Sequence, residues 1–248
     1  LVKKAYRPSK HSELFDAMDD AFTQMRTGRP GPVFLSLPMD LQSDAANVPN
    51  AERRTPSAQQ PEPDSAAIQK AAELLMNANR AVIVAGGGVS LSGAEAELLK
   101  LAEQAGAAVV TTLQSKGCFP EDHPLYGWLP GSKGTSIGNA LTLSADIILA
   151  VGCRFTDQTA SSYRANTTFN FPESKLIQID VDASEIGKNM PVDVGIIGDA
   201  KAALGALIDK FADLGPHGSE KTDSYIEDIA KLRTAWLDET AALRESDA

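Results

Sequence analysis

Hydrophobic and polar positions along most of the chain follow two alternating periods. Short, mostly continuous apolar runs, typical of buried strands, lie at Ala81–Ala85, Ala108–Thr112, Ile147–Val151, Lys175–Asp180 and Val194–Ile197. Apolar residues at helical spacing separate them, in Ala66–Asn77, Ser92–Ala105, Ile137–Ser144 and Ala200–Phe211. Strands that are apolar on both faces and alternate with helices indicate a parallel sheet covered on both sides. The pattern therefore predicts an α/β fold, a three-layer, doubly wound parallel sheet that binds ligands at the carboxyl ends of its strands.

The first 48 residues predict one helix and one strand. Helical spacing relates Leu14, Ala17, Met18, Ala21, Phe22 and Met25. Gly28 ends the helix, and the prolines that follow turn the chain into a strand at Val33–Leu37. One helix and one strand cannot bury both of their faces, so we expect residues 1–48 to be the end of a domain that begins outside this chain.

Two further boundaries follow from composition. Residues 49–64 are rich in Pro, Gln, Ala and charged side chains and predict an extended linker. The predicted sheet domain then occupies residues 65–213. Residues 214–248 contain an amphipathic helix, Asp223–Leu243, which we expect to pack on that domain or to lead into a further one.

Composition narrows the class of partner. The chain has 248 residues and a formal net charge of −10, which disfavours nucleic acid because such binding needs clustered basic side chains. No apolar run is long enough to span a bilayer, so no membrane partner is expected. The two cysteines, Cys118 and Cys153, cannot build a disulfide framework and lack neighbours at metal-ligand spacing. We interpret them as partly buried thiols of a cytoplasmic protein.

Three glycines follow the first strand of the predicted sheet. Gly86, Gly87 and Gly88 would let the backbone approach a pyrophosphate at the start of a helix. A tight turn with no ligand explains them equally well, because an isolated glycine cluster is a weak signal. A nicotinamide site is disfavoured: Leu91 occupies the position of the third fingerprint glycine, and no acidic residue ends the second strand.

Polar residues follow three more strands at the same predicted edge. Arg154 lies just beyond one strand, where a guanidinium can pair with a phosphate or form a surface ion pair. Asp180 ends another and can accept hydrogen bonds from ribose hydroxyls. Gly198 and Asp199 precede the last helix, where Asp199 is equally suited to cap it. Because the carboxyl ends of parallel strands share one edge, the coincidence strengthens the prediction of a nucleotide site.

Several stretches in order resemble the thiamine-diphosphate-dependent enzymes, and within them the acetolactate synthase group. The stretches are GRPGPVFLSLPMDLQ (28–42), VIVAGGGV (82–89), VVTTLQSKGCFPEDHPLYGW (109–128), ADIILAVGCRF (145–155) and LIQIDVDASEIGKN…VGIIGDA (176–200). The resemblance covers nearly the whole chain. It implies that residues 1–48 end the pyrimidine-binding domain, that residues 65–213 are the Rossmann-like central domain, and that residues 214–248 lead to a diphosphate-binding domain outside the chain.

The resemblance also implies an activity for a longer parent protein. Such enzymes use thiamine diphosphate and Mg²⁺ to decarboxylate a 2-keto acid and pass the resulting carbanion to an acceptor, and the parent is expected to be a homodimer or homotetramer. The family's GDG…NN motif is missing from this sequence, and its activating glutamate would precede Leu1. No catalytic or metal-binding residue is therefore assigned to this chain, which we expect to be inactive alone.

Acetolactate synthases hold FAD in the central domain, and relatives hold ADP or nothing. By resemblance, the cofactor-binding positions are Gly86, Gly87, Gly88, Thr111, Thr112, Leu113, Arg154, Asp180, Val181, Gly198 and Asp199. The chain departs from the pattern at Gln114–Ser115, Gly131–Gly134 and Gln158, so FAD, ADP and an empty pocket all stay open. One alternative is a decarboxylase or lyase of the same superfamily with an empty or ADP-binding central domain. The other, from a different functional class, is a nucleotide-binding or regulatory module without catalysis.

Overall fold

A computed structural model of the chain describes residues 1–43, 45, 60–215 and 219–244. These residues form two compact units, Leu1–Pro61 and Glu62–Ala248. Most of the predicted linker, residues 49–59, lies outside the described residues. The same is true of parts of the first and last predicted segments.

The first unit is small and leaves apolar side chains exposed. Its elements are β1 (Ala5–Tyr6), α1 (His11–Arg26), β2 (Phe34–Leu35) and α2 (Met39–Ser43), with β1 and β2 paired in parallel. The predicted helix is confirmed, the predicted strand is shorter than expected, and β1 and α2 were not predicted. One helix on two short strands cannot cover its own apolar stripe, and Phe15, Met18 and Phe22 of α1 are 36–43% exposed.

The second unit has the predicted α/β fold. Its elements are α3 (Ser65–Met76), β3 (Ala81–Ala85), α4 (Gly87–Ser92), α5 (Glu95–Ala105), β4 (Ala108–Thr111), α6 (Ser136–Ser144), β5 (Ile147–Val151), β6 (Lys175–Asp180), β7 (Val194–Ile197), α7 (Ala200–Leu214), α8 (Ser219–Glu239) and α9 (Ala241–Arg244). The five strands form one parallel sheet in the order β4-β3-β5-β6-β7. All residues of the central strands β3 and β5 are buried, which explains their unbroken apolar runs.

Helices cover both faces of this sheet. The chain moves outward from β3 to β4 and then crosses back to β5 on the other side of β3. Because parallel crossovers are right-handed, connections that move in opposite directions lie on opposite faces. Accordingly, α3 and α5 pack with α7, whereas α6 packs with α8.

The helix predicted at Ser92–Ala105 begins three residues later in the structure, as α5 from Glu95. A separate short helix that was not predicted, α4, precedes it and ends at Ser92. Gly93 lies between them with φ +62°, a left-handed conformation that ends a helix and favours glycine. The first helical residue after β3 is therefore a glycine of the cluster itself.

The described part of the chain contains no helix that combines the length and the apolar character needed to cross a membrane. Cys118 and Cys153 are both buried free thiols. They are thus more deeply buried than the sequence suggested.

Candidate functional site

A cleft opens where the strand order of the sheet reverses. The first strand of the sheet, β3, has its sequence successor β4 on one side and β5 on the other. In open α/β sheets the connections that leave two such neighbours diverge to opposite faces, and ligands bind in the resulting crevice. Here the crevice lies beyond Ala85 and Val151, the paired last residues of β3 and β5.

Two glycines of the cluster are required by backbone packing. A Cβ on Gly86 would lie 2.6 Å from the Cα of Cys153, and a Cβ on Gly88 would lie 2.6 Å from the Cα of Gly152. Their N–H groups donate within the protein, from Gly86 to the carbonyl of Val151 (2.8 Å) and from Gly88 to that of Gly152 (3.3 Å). Gly86 and Gly88 therefore let two loops meet, and their N–H groups are already used.

Gly87 differs from its two neighbours. It is the first residue of α4, so its N–H has no acceptor within the helix, and no other described residue accepts from it. A Cβ at this position would make only an ordinary contact, 3.4 Å from the Cβ of Gln114. Gly87 lines the cleft and is the member of the cluster that offers a backbone donor to a ligand.

Three segments line the cleft, which has a volume of about 130 Å³. The turn after β3 contributes Gly86 and Gly87. The long loop after β4 contributes both of its ends, and the loop after β5 contributes the remainder: Thr112, Leu113, Gln114, Leu129, Pro130, Lys133, Gly152, Cys153, Arg154, Phe155, Thr156, Gln158 and Thr159. The lining thus combines apolar side chains, hydroxyl and amide groups, and two cations.

Both cations are available to an anion. Arg154 is half-buried, and its carbonyl accepts a hydrogen bond from Nδ2 of Asn189 at 2.8 Å. Among the described residues, neither the guanidinium of Arg154 nor the ammonium of Lys133 has an acidic partner within ion-pair distance. Arginine and lysine in a partly closed cleft form charge-assisted hydrogen bonds to phosphate oxygens. The cleft can therefore stabilise a negatively charged group.

The predicted cofactor-binding residues separate into two sets. Gly86, Gly87, Thr112, Leu113 and Arg154 come together in the cleft. The other six do not line it: Gly88, Thr111, Asp180, Val181, Gly198 and Asp199.

Most members of the second set have structural partners. Thr111 is fully buried, and its hydroxyl lies 3.2 Å from that of Tyr126. Asp180 is 7% exposed and accepts from the N–H of Asp182 at 3.0 Å. The N–H of Gly198 donates to the carbonyl of Asp180 at 3.0 Å. Their assignment as cofactor ligands stays a prediction.

Asp199 is the N-cap of α7. Its carboxylate accepts from the N–H groups of Lys201 (3.0 Å) and Ala202 (3.3 Å). The hydroxyl of Ser92, at the end of α4, also donates to it at 2.6–2.7 Å. A carboxylate at a helix N-terminus satisfies free donors and complements the helix dipole. The capping interpretation of Asp199 is confirmed, and the contact with Ser92 ties α4 to α7.

Cys153 lines the cleft but is unsuited to nucleophilic chemistry. Burial raises the pKa of its thiol to about 11, so the group is protonated at neutral pH. Cys118 has its pKa raised to about 11, first by burial and then by the negative charge of Glu95. Both cysteines therefore act as small apolar side chains.

Sequence reasoning missed several lining residues. Gly152 follows β5 with φ +55°, and a glycine directly after a strand was the available signal. Leu129 and Pro130 could not be found, because they reach the cleft through a loop that returns along β4, where Tyr126 bridges to Val109. Lys133 and Gln158 lie at positions where the chain departs from the family pattern, and that departure does not indicate that they line the cleft.

Comparison with known proteins gives a consistent family. Residues 68–207 match the family described as thiamine pyrophosphate enzyme, central domain. A probable acetolactate synthase large subunit of Methanocaldococcus jannaschii is 38% identical over 243 residues, which is 96% of this chain and 40% of that protein. A glyoxylate carboligase of Escherichia coli O157:H7 is 37% identical over 203 residues, covering 81% of this chain and 33% of that protein.

The fold has a counterpart of known structure. Benzoylformate decarboxylase from Polynucleobacter necessarius superposes with a TM-score of 0.70 over 84% of this chain and 38% of that one, at 23% identity. At this identity the likeness concerns the fold alone. The chain spans about 40% of the length of the acetolactate synthase relative.

The residues present do not fit thiamine diphosphate and its metal ion. The sequence has Gly198-Asp199-Ala200 but no GDG followed by paired asparagines. The part of the chain that the structure describes holds no group of three His, Cys, Asp or Glu side chains placed to bind a metal.

Proposed function

Since the chain belongs to the thiamine pyrophosphate enzyme family through its central domain, we propose that it is part of an enzyme that decarboxylates a 2-keto acid and transfers the resulting carbanion. The acetolactate synthase relative supports this reaction class. The glyoxylate carboligase relative keeps the choice of keto acid and acceptor open. The cofactor would supply the chemistry, and the protein would supply positioning and electrostatics.

The proposal assigns a place to each part of the chain. Residues 1–48 would end the pyrimidine-binding domain, residues 65–213 would be the central domain, and residues 214–248 would lead to the diphosphate-binding domain. The exposed apolar stripe of α1 supports the first assignment, because a complete domain would cover it. The parent would be a cytoplasmic homodimer or homotetramer that uses Mg²⁺, and this chain alone would lack activity.

The cleft is proposed to hold the ADP part of FAD, or ADP itself. The observation that carries this proposal is that the free backbone donor of Gly87 lines the same cleft as Arg154 and Lys133, two cations with no acidic partner among the residues that the structure describes. A volume of about 130 Å³ suits a diphosphate better than a whole dinucleotide, since drug-sized sites span roughly 300–1,000 Å³. The nucleoside would then extend along the sheet edge toward Asp180 and Asp199.

The residues of the cleft have distinct roles in this proposal. Gly87 and the guanidinium of Arg154 would bind the pyrophosphate, and Lys133 would add charge at the rim. The apolar side chains of Leu113 and Leu129, which line the cleft, would contact a ring system. The proposed decarboxylation and carbanion transfer need no hydride or electron transfer, so bound FAD, like bound ADP, would contribute structure to the site.

Calorimetric titration of the chain with FAD and with ADP tests the site. We expect saturable binding that weakens by roughly 10- to 100-fold in Arg154→Ala, the loss of one charge-assisted contact of about 1.5–3 kcal/mol. Arg164→Ala is the matched control, because it removes the same charge from an exposed residue outside the cleft. Equal binding by both variants, or no binding of either nucleotide by the unaltered chain, would contradict the proposal.

A non-catalytic nucleotide-binding module is the alternative function. The two proposed functions predict different lengths for the protein made in the cell, because the relative of M. jannaschii is about two and a half times as long as the matched region. Intact mass measurement of the protein purified from its source distinguishes them. A product of the length of this chain would favour the module.

A further inference from the structure

Residues 129–134, which we call the cleft wall, belong to a loop that contacts α8. The loop runs from the end of β4 to the start of α6, and residues 129–134 near its end include the lining residues Leu129, Pro130 and Lys133. Upstream of them, Nη2 of Arg233 in α8 donates to the carbonyl of His123 at 2.6 Å. The same atom lies 3.2 Å from the carbonyl of Tyr126 and 3.4 Å from that of Pro124.

The residue that directly precedes the cleft wall is held by α8 as well. The rings of Trp128 and Trp236 have centroids 4.7 Å apart, and the guanidinium of Arg233 lies 5.2 Å from the Trp128 ring. Trp128 has φ +59°, an unfavourable conformation for a residue with a bulky side chain. Such a conformation persists only where surrounding contacts impose it. Besides the contacts with α8, the N–H of Thr111 donates to the Trp128 carbonyl at 2.8 Å.

The far end of the wall is also tied to α8. Thr135 caps α6, and its N–H donates to the carbonyl of Leu129 at 2.9 Å, which closes residues 129–134 into a compact turn. The next residue, Ser136, donates from its hydroxyl to Glu239 at 2.6 Å. Contacts with α8 therefore flank the wall on both sides.

We propose that α8 is a clamp that orders the cleft wall, so that Arg233 and Trp236 are positioning residues for the bound nucleotide. The inference rests on the proposed function of the cleft as a nucleotide site. A wall already ordered before binding spares the ligand the entropy of ordering it. Docking of α8 and occupation of the cleft would then favour each other, because both select the same loop conformation.

The clamp can be loosened without detaching the helix. The other half of α8 docks separately, through an ion pair between Arg80 and Asp228 and the buried ring of Tyr225, over which the Arg80 guanidinium lies. Ile229 of α8 is also fully buried. A substitution at Trp236 should therefore release the wall and leave this anchor in place.

The experiment compares Trp236→Ala with Trp236→Phe in the 248-residue chain. Amide exchange of residues 129–134 is measured without ligand, and ADP and FAD affinities are measured by calorimetry. We expect Trp236→Ala to accelerate exchange in this segment and to weaken nucleotide binding about tenfold, the cost of ordering one or two side chains. Trp236→Phe keeps an aromatic contact and should restore both quantities close to their original values.

A spectroscopic signature accompanies these measurements. The chain has two tryptophans, so Trp128 is the remaining one in Trp236→Phe. Its emission should change on addition of ADP with the same midpoint as the calorimetric titration, because Trp128 adjoins the wall that contacts the ligand. If calorimetry shows that Trp236→Phe binds ADP, emission that does not respond to saturating ADP would overturn the inference.

The variant Ile208→Ala distinguishes an effect of the clamp from an effect of a general loss of stability. Ile208 is buried on α7, which packs mainly with α3 and α5. An equal effect of Ile208→Ala and Trp236→Ala on the wall and on affinity would overturn the clamp, as would faster exchange with unchanged affinity. If the unaltered chain binds neither nucleotide, the proposed function fails. In that case amide exchange alone tests the clamp. Unchanged protection of residues 129–134 in Trp236→Ala would overturn the clamp, and lost protection would support it.

Discussion

Gly88 and Gly152 touch backbone to backbone: a Cβ on Gly88 would lie 2.6 Å from the Cα of Gly152. The contact joins the turn after β3 to the loop after β5, the two connections that diverge at the switch point. It forms because neither residue has a side chain and because Gly152 adopts φ +55°. A side chain at either position would therefore push these two connections apart.

Gly152→Ala should be strongly destabilising. The new Cβ meets the backbone of Gly88 and must also adopt a left-handed conformation. We expect a loss of about 2–5 kcal/mol in the free energy of unfolding, from roughly 1–2 kcal/mol of conformational strain and 1–3 kcal/mol of overpacking. Urea denaturation measures it.

Gly93→Ala is the control for this substitution. Gly93 has φ +62°, but a Cβ there would have no neighbour within 4 Å. This variant should lose only the roughly 1–2 kcal/mol of conformational strain. If the two variants lost the same stability, close packing at Gly152 would not be the reason for its glycine.

Gly87→Ala should separate binding from folding. The added methyl group makes an ordinary contact with Gln114 and lies at the first position of a helix, so the free energy of unfolding should change by no more than about 0.5 kcal/mol. The same methyl group narrows the cleft beside the free N–H. We expect ADP to bind less tightly by roughly tenfold, through a weakened hydrogen bond of about 1–1.5 kcal/mol. A large loss of stability would show that Gly87, like Gly86, is needed for packing.

These glycines mark the limit of what the sequence could predict. The parallel sheet followed from continuous apolar runs such as Ile147–Val151, because a strand buried on both faces has little other choice of residues. The cluster Gly86–Gly88 correctly indicated a special turn. It could not reveal that two members pack against Gly152, since that contact joins positions more than 60 residues apart. Sequence spacing reports only neighbours along the chain.

The end of a helix can be signalled by a single residue, but a longer apolar periodicity can outweigh that signal. Gly93 carries the C-terminal signal that separates α4 from α5, yet the apolar periodicity favoured one helix from Ser92. β1 has two residues and exists because β2 lies beside it. The cleft wall at 129–134 depends on α8, an element about 100 residues later. Such features are determined by tertiary contacts, which local propensity does not contain.

Asp199→Ala should cost stability through the lost cap. The N–H of Ala202 and the hydroxyl of Ser92 would lose their acceptor, and the N–H of Lys201 would keep only the hydroxyl oxygen of Ser92, at 3.0 Å. The expected loss is about 1 kcal/mol, within the range of 0.5–2 for such caps. Asp199→Asn should retain most of the stability, because asparagine caps about as well as aspartate.

The same variants test whether Asp199 also contacts the nucleotide. ADP affinity is measured beside thermal stability. An affinity that is unchanged in Asp199→Ala would remove this residue from the proposed cofactor-binding set and leave it as a cap. A stability equal to that of the unaltered chain would contradict the capping role.

The two buried thiols should make the fold sensitive to alkaline pH. Folding raises the pKa of Cys118 and of Cys153 from an ordinary value of 9.0 to about 11. Between these values the folded chain retains protons that the unfolded chain has released. Stability therefore falls as the pH rises above about 9, since it decreases wherever the folded state binds more protons. At neutral pH both thiols should react slowly with a disulfide reagent and become fast in denaturant.

Other groups also titrate in this range, so the measurement is a difference between variants. The free energy of unfolding is determined in urea at pH 8 and pH 10 for the unaltered chain and for Cys153→Ala. Lysines and tyrosines contribute similarly to both proteins, and the variant lacks the thiol that burial keeps protonated. We expect the unaltered chain to lose more stability between the two pH values than Cys153→Ala does. Equal losses would mean that the Cys153 thiol ionises as easily in the folded chain as in the unfolded one. Cys153 would then be more accessible to water than its burial indicates.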